Sequence, residues 1–186
     1  RENSVGSIIF KNIVDAGYKG RLYAINPKHE TIHGVQANAS IEEIGARVEL
    51  AVICTRPQTV PTIVEQCGRS GIKNVIVITS GFAEAGHSGA ALERKMLEIA
   101  RSYNVRVLGP NCLGIIRPSL GLNSTFAKVS ANVGNLALVS QSGAMCSAVL
   151  DWAKSNGVGF STVISLGSSA DVDFGEILDY LIYDNR

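Results

Sequence analysis

The sequence predicts an α/β protein whose parallel sheet is covered on both faces, and three observations lead there. Short β-branched apolar runs alternate with longer amphipathic stretches, the pattern of strand–helix units stacked into a doubly wound sheet. Glycine is abundant, 19 of 186 residues, and Gly17, Gly71 and Gly157 stand where helices should stop. One Trp and many small-residue turns argue against an all-helical bundle. With 46% hydrophobic and 18% charged residues, the chain can bury a substantial core.

The elements follow in order. A helix is expected over 5–16, with Ser4 as its cap and Gly17 behind it. The apolar runs at 22–25, 50–54 and 74–78 read as strands, separated by a helix over 59–70 that ends at Gly71. A helix over 88–103 leads to a strand at 105–108, and strands at 136–139 and 161–165 flank a helix over 142–156. Asp173 is placed to cap a last helix over 173–183.

Composition changes between Arg117 and Val133, where Pro118, Gly121, Asn123, Ser124 and Asn132 replace any apolar period. The expected division is therefore residues 1–121 and residues 122–186. The chain opens in a helix-entry loop with no strand ahead of it, so the first unit is expected to lack its central strand. The second unit has two expected strands, too few for a stable sheet, and is expected to be truncated.

Several classes of function are disfavoured at once. Seventeen basic against sixteen acidic residues give a net charge of +1, without the field of a nucleic-acid binder. No apolar run reaches the roughly 18–20 residues of a membrane helix, and Arg1-Glu2-Asn3-Ser4 does not open a signal peptide. Cys54, Cys67, Cys112 and Cys146 are widely separated without CxxC spacing, which favours a reducing compartment and a cytoplasmic location. Three scattered histidines, His29, His33 and His87, give no metal site.

In such a sheet, ligands bind beyond the carboxyl ends of the strands, so the loops there were weighed residue by residue. Glu2, Asn3, Ser4 and Val5 lead into a helix N-terminus that suits an anion or is an ordinary cap. Lys28 follows the strand at 22–25, where an NAD protein would favour Asp or Glu. It favours a ligand with an extra phosphate, or is a solvated surface lysine. Thr55 and Arg56 follow the next strand, and Thr79 and Ser80 the one after; they line a crevice or merely cap strand ends.

Gly109-Pro110-Asn111-Cys112-Leu113-Gly114 is more distinctive, because two glycines bracket a turn presenting an amide and a thiol. The alternative is a buried structural cysteine. Ser140-Gln141-Ser142-Gly143-Ala144 forms a second small-residue turn into a helix, whose amides would face an anion. It is not a nucleophile elbow, since Ser140 stands where glycine is needed and every histidine lies in the first unit. Asp171 reads as structural rather than as a ligand.

The Gly-Pro-Asn-Cys-Leu-Gly run resembles a motif of succinyl-CoA synthetase α subunits and of the NDP-forming acyl-CoA synthetases. The Ser-Gln-Ser-Gly turn, Asn26-Pro27-Lys28, Ser80-Gly81 and the 167–173 segment are similar to that family's in the same order, so the likeness covers essentially the whole chain. It implies a Rossmann-like CoA-binding domain followed by a partial flavodoxin-like CoA-ligase domain. It also implies CoA, or acetyl-CoA, held by Glu2, Asn3, Ser4 and Val5 at the phosphates and by Lys28. Ile78, Thr79 and Ser80, with Thr55 and Arg56 beside them, would follow the pantetheine, and Asn111 and Cys112 would lie near its thiol. Ser142, Gly143 and Ala144 would receive a phosphohistidine from beyond Arg186, so no catalytic residue is expected within the chain. Its phosphorylation would need ATP and Mg on an ATP-grasp domain or β subunit, in an oligomeric full-length protein.

Ser147 and Gln141 depart from the tyrosine and arginine of succinyl-CoA synthetase and disfavour succinate. The function implied is acyl-CoA formation from a small carboxylate such as acetate. Two alternatives are an acetyl-CoA-sensing region of a protein lysine acetyltransferase and an NADP-binding oxidoreductase, in which the Gly-Pro-Asn-Cys turn has no role.

Overall fold

The structure, a computed structural model, describes residues 4–184. A first sheet has the order β1-β3-β2: β1 (Ala24–Ile25) runs parallel to β3 (Val35–Asn38), and β2 (Thr31–Ile32) antiparallel to it. A second is wholly parallel, β4 (Leu50–Ile53), β5 (Asn74–Val77) and β6 (Arg106–Leu108). The third has the order β8-β7-β10-β9 and comprises β7 (Gly114–Arg117), β8 (Leu122–Asn123), β9 (Asn132–Ser140) and β10 (Gly159–Ser165). The helices are α1 (Val5–Asp15), α2 (Val60–Arg69), α3 (His87–Ser102), α4 (Gly143–Ser155) and α5 (Phe174–Ile182).

The expected α/β architecture is present, and its core explains the strand pattern. Val75, Ile76 and Val77 are buried in succession because β5 has packing on both faces. Val75, Val77 and Val107 meet Val64 and Cys67 of α2 and Met96 and Ala100 of α3. Ile76 and Leu108 point the other way, into a cluster with Ile9 and Ile13 of α1 and with Ile164 and Leu166 at the end of β10. This second cluster joins the two units through apolar contact. A third packs Cys146, Leu150 and Ala153 of α4 against Phe160 and Val163.

The helices match the expected ones to within about a residue at each end. Ser4, Ser142 and Asp173 cap them, accepting from the backbone N–H groups of Ser7, Met145 and Glu176. Gly17, Gly71 and Gly157 follow them with φ of 78°, 79° and 69°.

Two differences matter. Part of the sheet is antiparallel: β7 runs against β10, with Ile116 opposite Val163. The 117–133 segment is also more than a connection, since it holds the 3-10 turn Pro118–Leu120, then β8 and the start of β9. Residue 122 thus lies inside the third sheet, which takes β7 from one side of it and β10 from the other. Among the described residues, β1 pairs with β3 alone and β4 with β5 alone. A groove of about 980 Å³ runs between those two, floored by Ile9, Phe10 and Ile13 of α1.

Candidate functional site

Because β4, β5 and β6 are parallel, their carboxyl ends open on the same side, and their loops are tied together there. Thr79 Oγ1 donates to the Thr55 carbonyl at 2.8 Å. The Asn111 N–H donates to the Thr79 carbonyl at 3.0 Å. The turn at 109–114 therefore rests on the β5 loop, which rests on the β4 loop.

The turn needs its glycines. Gly109 and Gly114 have φ of 100° and 116°, and a Cβ on Gly114 would stand 2.2 Å from the Ser124 carbonyl oxygen. The second unit holds the turn from its other side. Ser168 N–H donates to the Pro110 carbonyl at 2.9 Å and Ala170 N–H to the Gly109 carbonyl at 3.0 Å. The Leu113 N–H donates to Ser165 Oγ at 3.1 Å. Asp171 accepts from Val107 N–H at 2.8 Å and from Arg106 Nε at 3.0 Å, so its role is structural.

Two helix N-termini border the recess that results, whose volume is about 790 Å³. α1 contributes Val5, and Gly6 behind it brings the helix close enough that a Cβ would lie 3.5 Å from Cys54 Cβ. α4 contributes Ser142, Gly143 and Ala144; a Cβ on Gly143 would lie 3.0 Å from Leu113 Cβ. The first N–H groups of both helices have no intrahelical acceptor, and among the described residues none that lines the recess carries a formal charge. The recess therefore favours anions through backbone dipoles while presenting uncharged walls.

Most of the expected residues come together here: Val5, Thr55, Ile78, Thr79, Ser80, Asn111, Cys112, Ser142, Gly143 and Ala144 line the one recess. Ser4 lines the neighbouring groove between β1 and β4 instead. Lys28 and Arg56 line neither. Lys28 is exposed in a turn whose N–H donates to Asn26 Oδ1 at 2.9 Å, and the Arg56 carbonyl accepts from Thr59 Oγ1 at 2.8 Å. Glu2 and Asn3 lie outside the described residues.

Cys112 does not behave as a nucleophile. Its Sγ donates to the Val77 carbonyl at 3.4 Å, and burial pushes the thiol up to about 12, so it is protonated at neutral pH. Ser142 Oγ is engaged as a helix cap, and His29, His33 and His87 do not line the recess. The recess is thus built for binding and positioning. The lining also includes Cys54, Pro57, Leu113, Phe126, Gln141 and Ser147. Phe126 is the least legible of these, a lone aromatic in a segment without period. Its one signal is that isolation.

Residues 1–118 match the CoA binding domain family, and residues 133–186 match the succinyl-CoA ligase like flavodoxin domain. The ADP-forming acetate–CoA ligase I of Archaeoglobus fulgidus is 44% identical over 185 residues, covering 100% of this chain and 27% of that protein. The ADP-forming 4-hydroxybutyrate–CoA ligase of Nitrosopumilus maritimus is 41% identical over 183 residues, 97% of this chain and 26% of that protein. The acetyl-coenzyme A synthetase 1 of Candidatus Korarchaeum cryptofilum, in complex with phosphate and ADP, superimposes with a TM-score of 0.94 at 35% identity, over 99% of this chain and 39% of that one. The chain spans about a quarter of the length of the curated relatives it matches.

Proposed function

Since the chain belongs to the CoA binding domain family, with a succinyl-CoA ligase-like flavodoxin segment behind it, we propose that it is the CoA-binding portion of an ADP-forming acid–CoA ligase acting on a small carboxylate such as acetate. The observation that carries this reading is the uncharged recess, bordered by two helix N-termini and centred on the 109–114 turn.

The residues fit CoA, which supplies a thiol for the thioester on an apolar arm that also bears phosphates. The N-terminus of α1, capped by Ser4 and opened by Val5, meets the phosphates through its backbone amides, Glu2 and Asn3 of the preceding sequence belong to the same phosphate loop, and Lys28 adds a cation. Thr55, Ile78, Thr79 and Ser80 line the path of the arm, and Arg56 stands beside it. Asn111 and Cys112 flank the thiol end, where the protonated, buried Cys112 offers a neutral wall. The turn of Ser142, Gly143 and Ala144 receives a phosphoryl group brought to the acid, with the Gly143 and Ala144 amides stabilising its negative charge while the Ser142 N–H, which donates to Ser140 Oγ at 3.1 Å, holds the turn in shape.

The two expected units divide this work. Residues 1–121 hold CoA and residues 122–186 hold the phosphoryl end, with β7 of the first closing the sheet of the second. The histidine that carries phosphate would lie beyond Arg186. ATP or ADP with Mg would bind to an ATP-grasp domain or β subunit, in an oligomeric protein of the cytoplasm. The relatives of 41% and 44% identity are acid–CoA ligases, so an acetyl-CoA sensor attached to a lysine acetyltransferase is not favoured.

Calorimetric titration of the full-length protein tests the reading. CoA is expected to bind, a Lys28→Ala variant more weakly, and NADP not at all. A folded protein that binds NADP and ignores CoA would overturn it.

A further inference from the structure

Resting on that reading, we propose that Phe126 forms the wall of the acid end of the recess and sets the length of carboxylate accepted, with Asn12 as the residue that positions it. Phe126 is 38% exposed although Ser124, Thr125 and Ala127 on either side of it are buried. The exposure is therefore not that of a loose loop. Thr125 Oγ1 donates to Asn123 Oδ1 at 2.7 Å and accepts from Ala127 N–H at 3.2 Å. The Ser124 Oγ and N–H both donate to the Ile115 carbonyl at 2.9 Å.

The decisive tie comes from α1. Asn12 Nδ2 donates to the carbonyls of Thr125 at 2.7 Å and Ala127 at 3.0 Å, gripping the backbone on both sides of Phe126. A satisfied, buried loop that holds a large apolar ring toward a recess is a shaped surface rather than a packing remnant. Among the described residues, Phe126 is also the sole aromatic lining the recess.

Its place in the recess identifies the ligand part it meets. Thr55 and Thr79, from the loops of the second sheet, line the recess, and on the proposed reading the arm of CoA lies along them. Phe126 follows β8 of the third sheet and shares the recess with Ser142 and Ser147 of α4. The acid has to approach from that opposite side. With no charged side chain in the lining, the wall suits a short monocarboxylic acid and leaves a second carboxylate unpaired.

The test uses the full-length enzyme with its ATP-binding part and compares kcat/KM for acetate and hexanoate, a ratio that cancels the fraction of active protein. One methylene in an apolar pocket discriminates by about 10- to 200-fold. Phe126→Ala is expected to raise the hexanoate-to-acetate ratio by at least about 10-fold, and Phe126→Leu, which keeps an apolar side chain, by less. Asn12→Ala is expected to raise the ratio in the same direction by loosening the loop, which a merely structural role would not do. A wild-type enzyme that couples acetate to CoA, with ratios unchanged in the variants, overturns the role of Phe126 alone. A wild type that couples no acid to CoA overturns the ligase reading and this proposal together.

Discussion

Gly114 and Cys112 shape the same turn by opposite means, one by lacking a side chain and one by burying it. At Gly114 a methyl group would meet the Ser124 carbonyl at 2.2 Å with φ at 116°, so neither the backbone nor its neighbour can give way. Gly114→Ala is expected to destabilise the protein by at least about 2 kcal/mol in urea unfolding. Cys112 and Cys67 carry a pH dependence. Burial pushes their thiols from an ordinary 9.0 up to about 12 and about 11. The folded values lie above the unfolded one, so this contribution is full below pH 9.0 and is lost as pH climbs toward 11 and 12. Stability should fall over that alkaline window, and iodoacetamide should spare Cys112 at neutral pH until denaturant is added. The glycines around this turn could be read from the sequence because a proline between two glycines specifies a tight bend. The need for Gly167 could not, since its Cβ would strike Pro110 and Asn111, which only the fold brings near.

Among the elements, α5 has no fully buried residue; half-buried Ile177 packs on the second apolar cluster, and the cap and charge add to that hold. Asp173 Oδ1 accepts from Glu176 N–H at 3.0 Å, while Arg106 reaches Glu176 at 2.7 Å and Asp171 at 3.0 Å. Asp173→Ala should cost about 1 kcal/mol by losing the cap, and Asp171→Ala about 1–3 kcal/mol by leaving Val107 N–H without its acceptor. Thermal unfolding with each variant measures both. Four of the five helices were legible because a cap or a terminal glycine marks them locally, and α3, which has neither, by its amphipathic period. β2 and β8 span two residues each, too short for any local period, and they exist because a partner strand pairs with them, whereas β1 lies within the apolar run at 22–25 that reads as a strand. β7 hid behind the turn it follows: its apolar Ile115 and Ile116 become a strand by pairing with two-residue β8 on one side and with β10, more than forty residues on, on the other.

The whole molecule is organised by where its parts meet. Ile164 and Leu166 from one unit pack on Ile76 and Leu108 from the other, and the 167–170 loop grips the 109–114 turn, so the recess is composite. The sequence displayed the motifs of both units but not their juxtaposition, which arises from contacts about 50 to 90 residues apart along the chain. The central claim is that the N-terminus of α1, facing the recess, holds the phosphate-bearing end of CoA. Val5→Asp tests it most directly. Val5 is the first residue of α1 and 41% exposed, and the first turn of α1 has no acidic residue. Aspartate there favours the helix dipole, so the melting temperature should hold or rise slightly. The same charge opposes bound phosphates, and calorimetry on the full-length protein should show CoA binding weakened by at least about 10-fold. An unchanged CoA affinity in that stable variant would contradict the account.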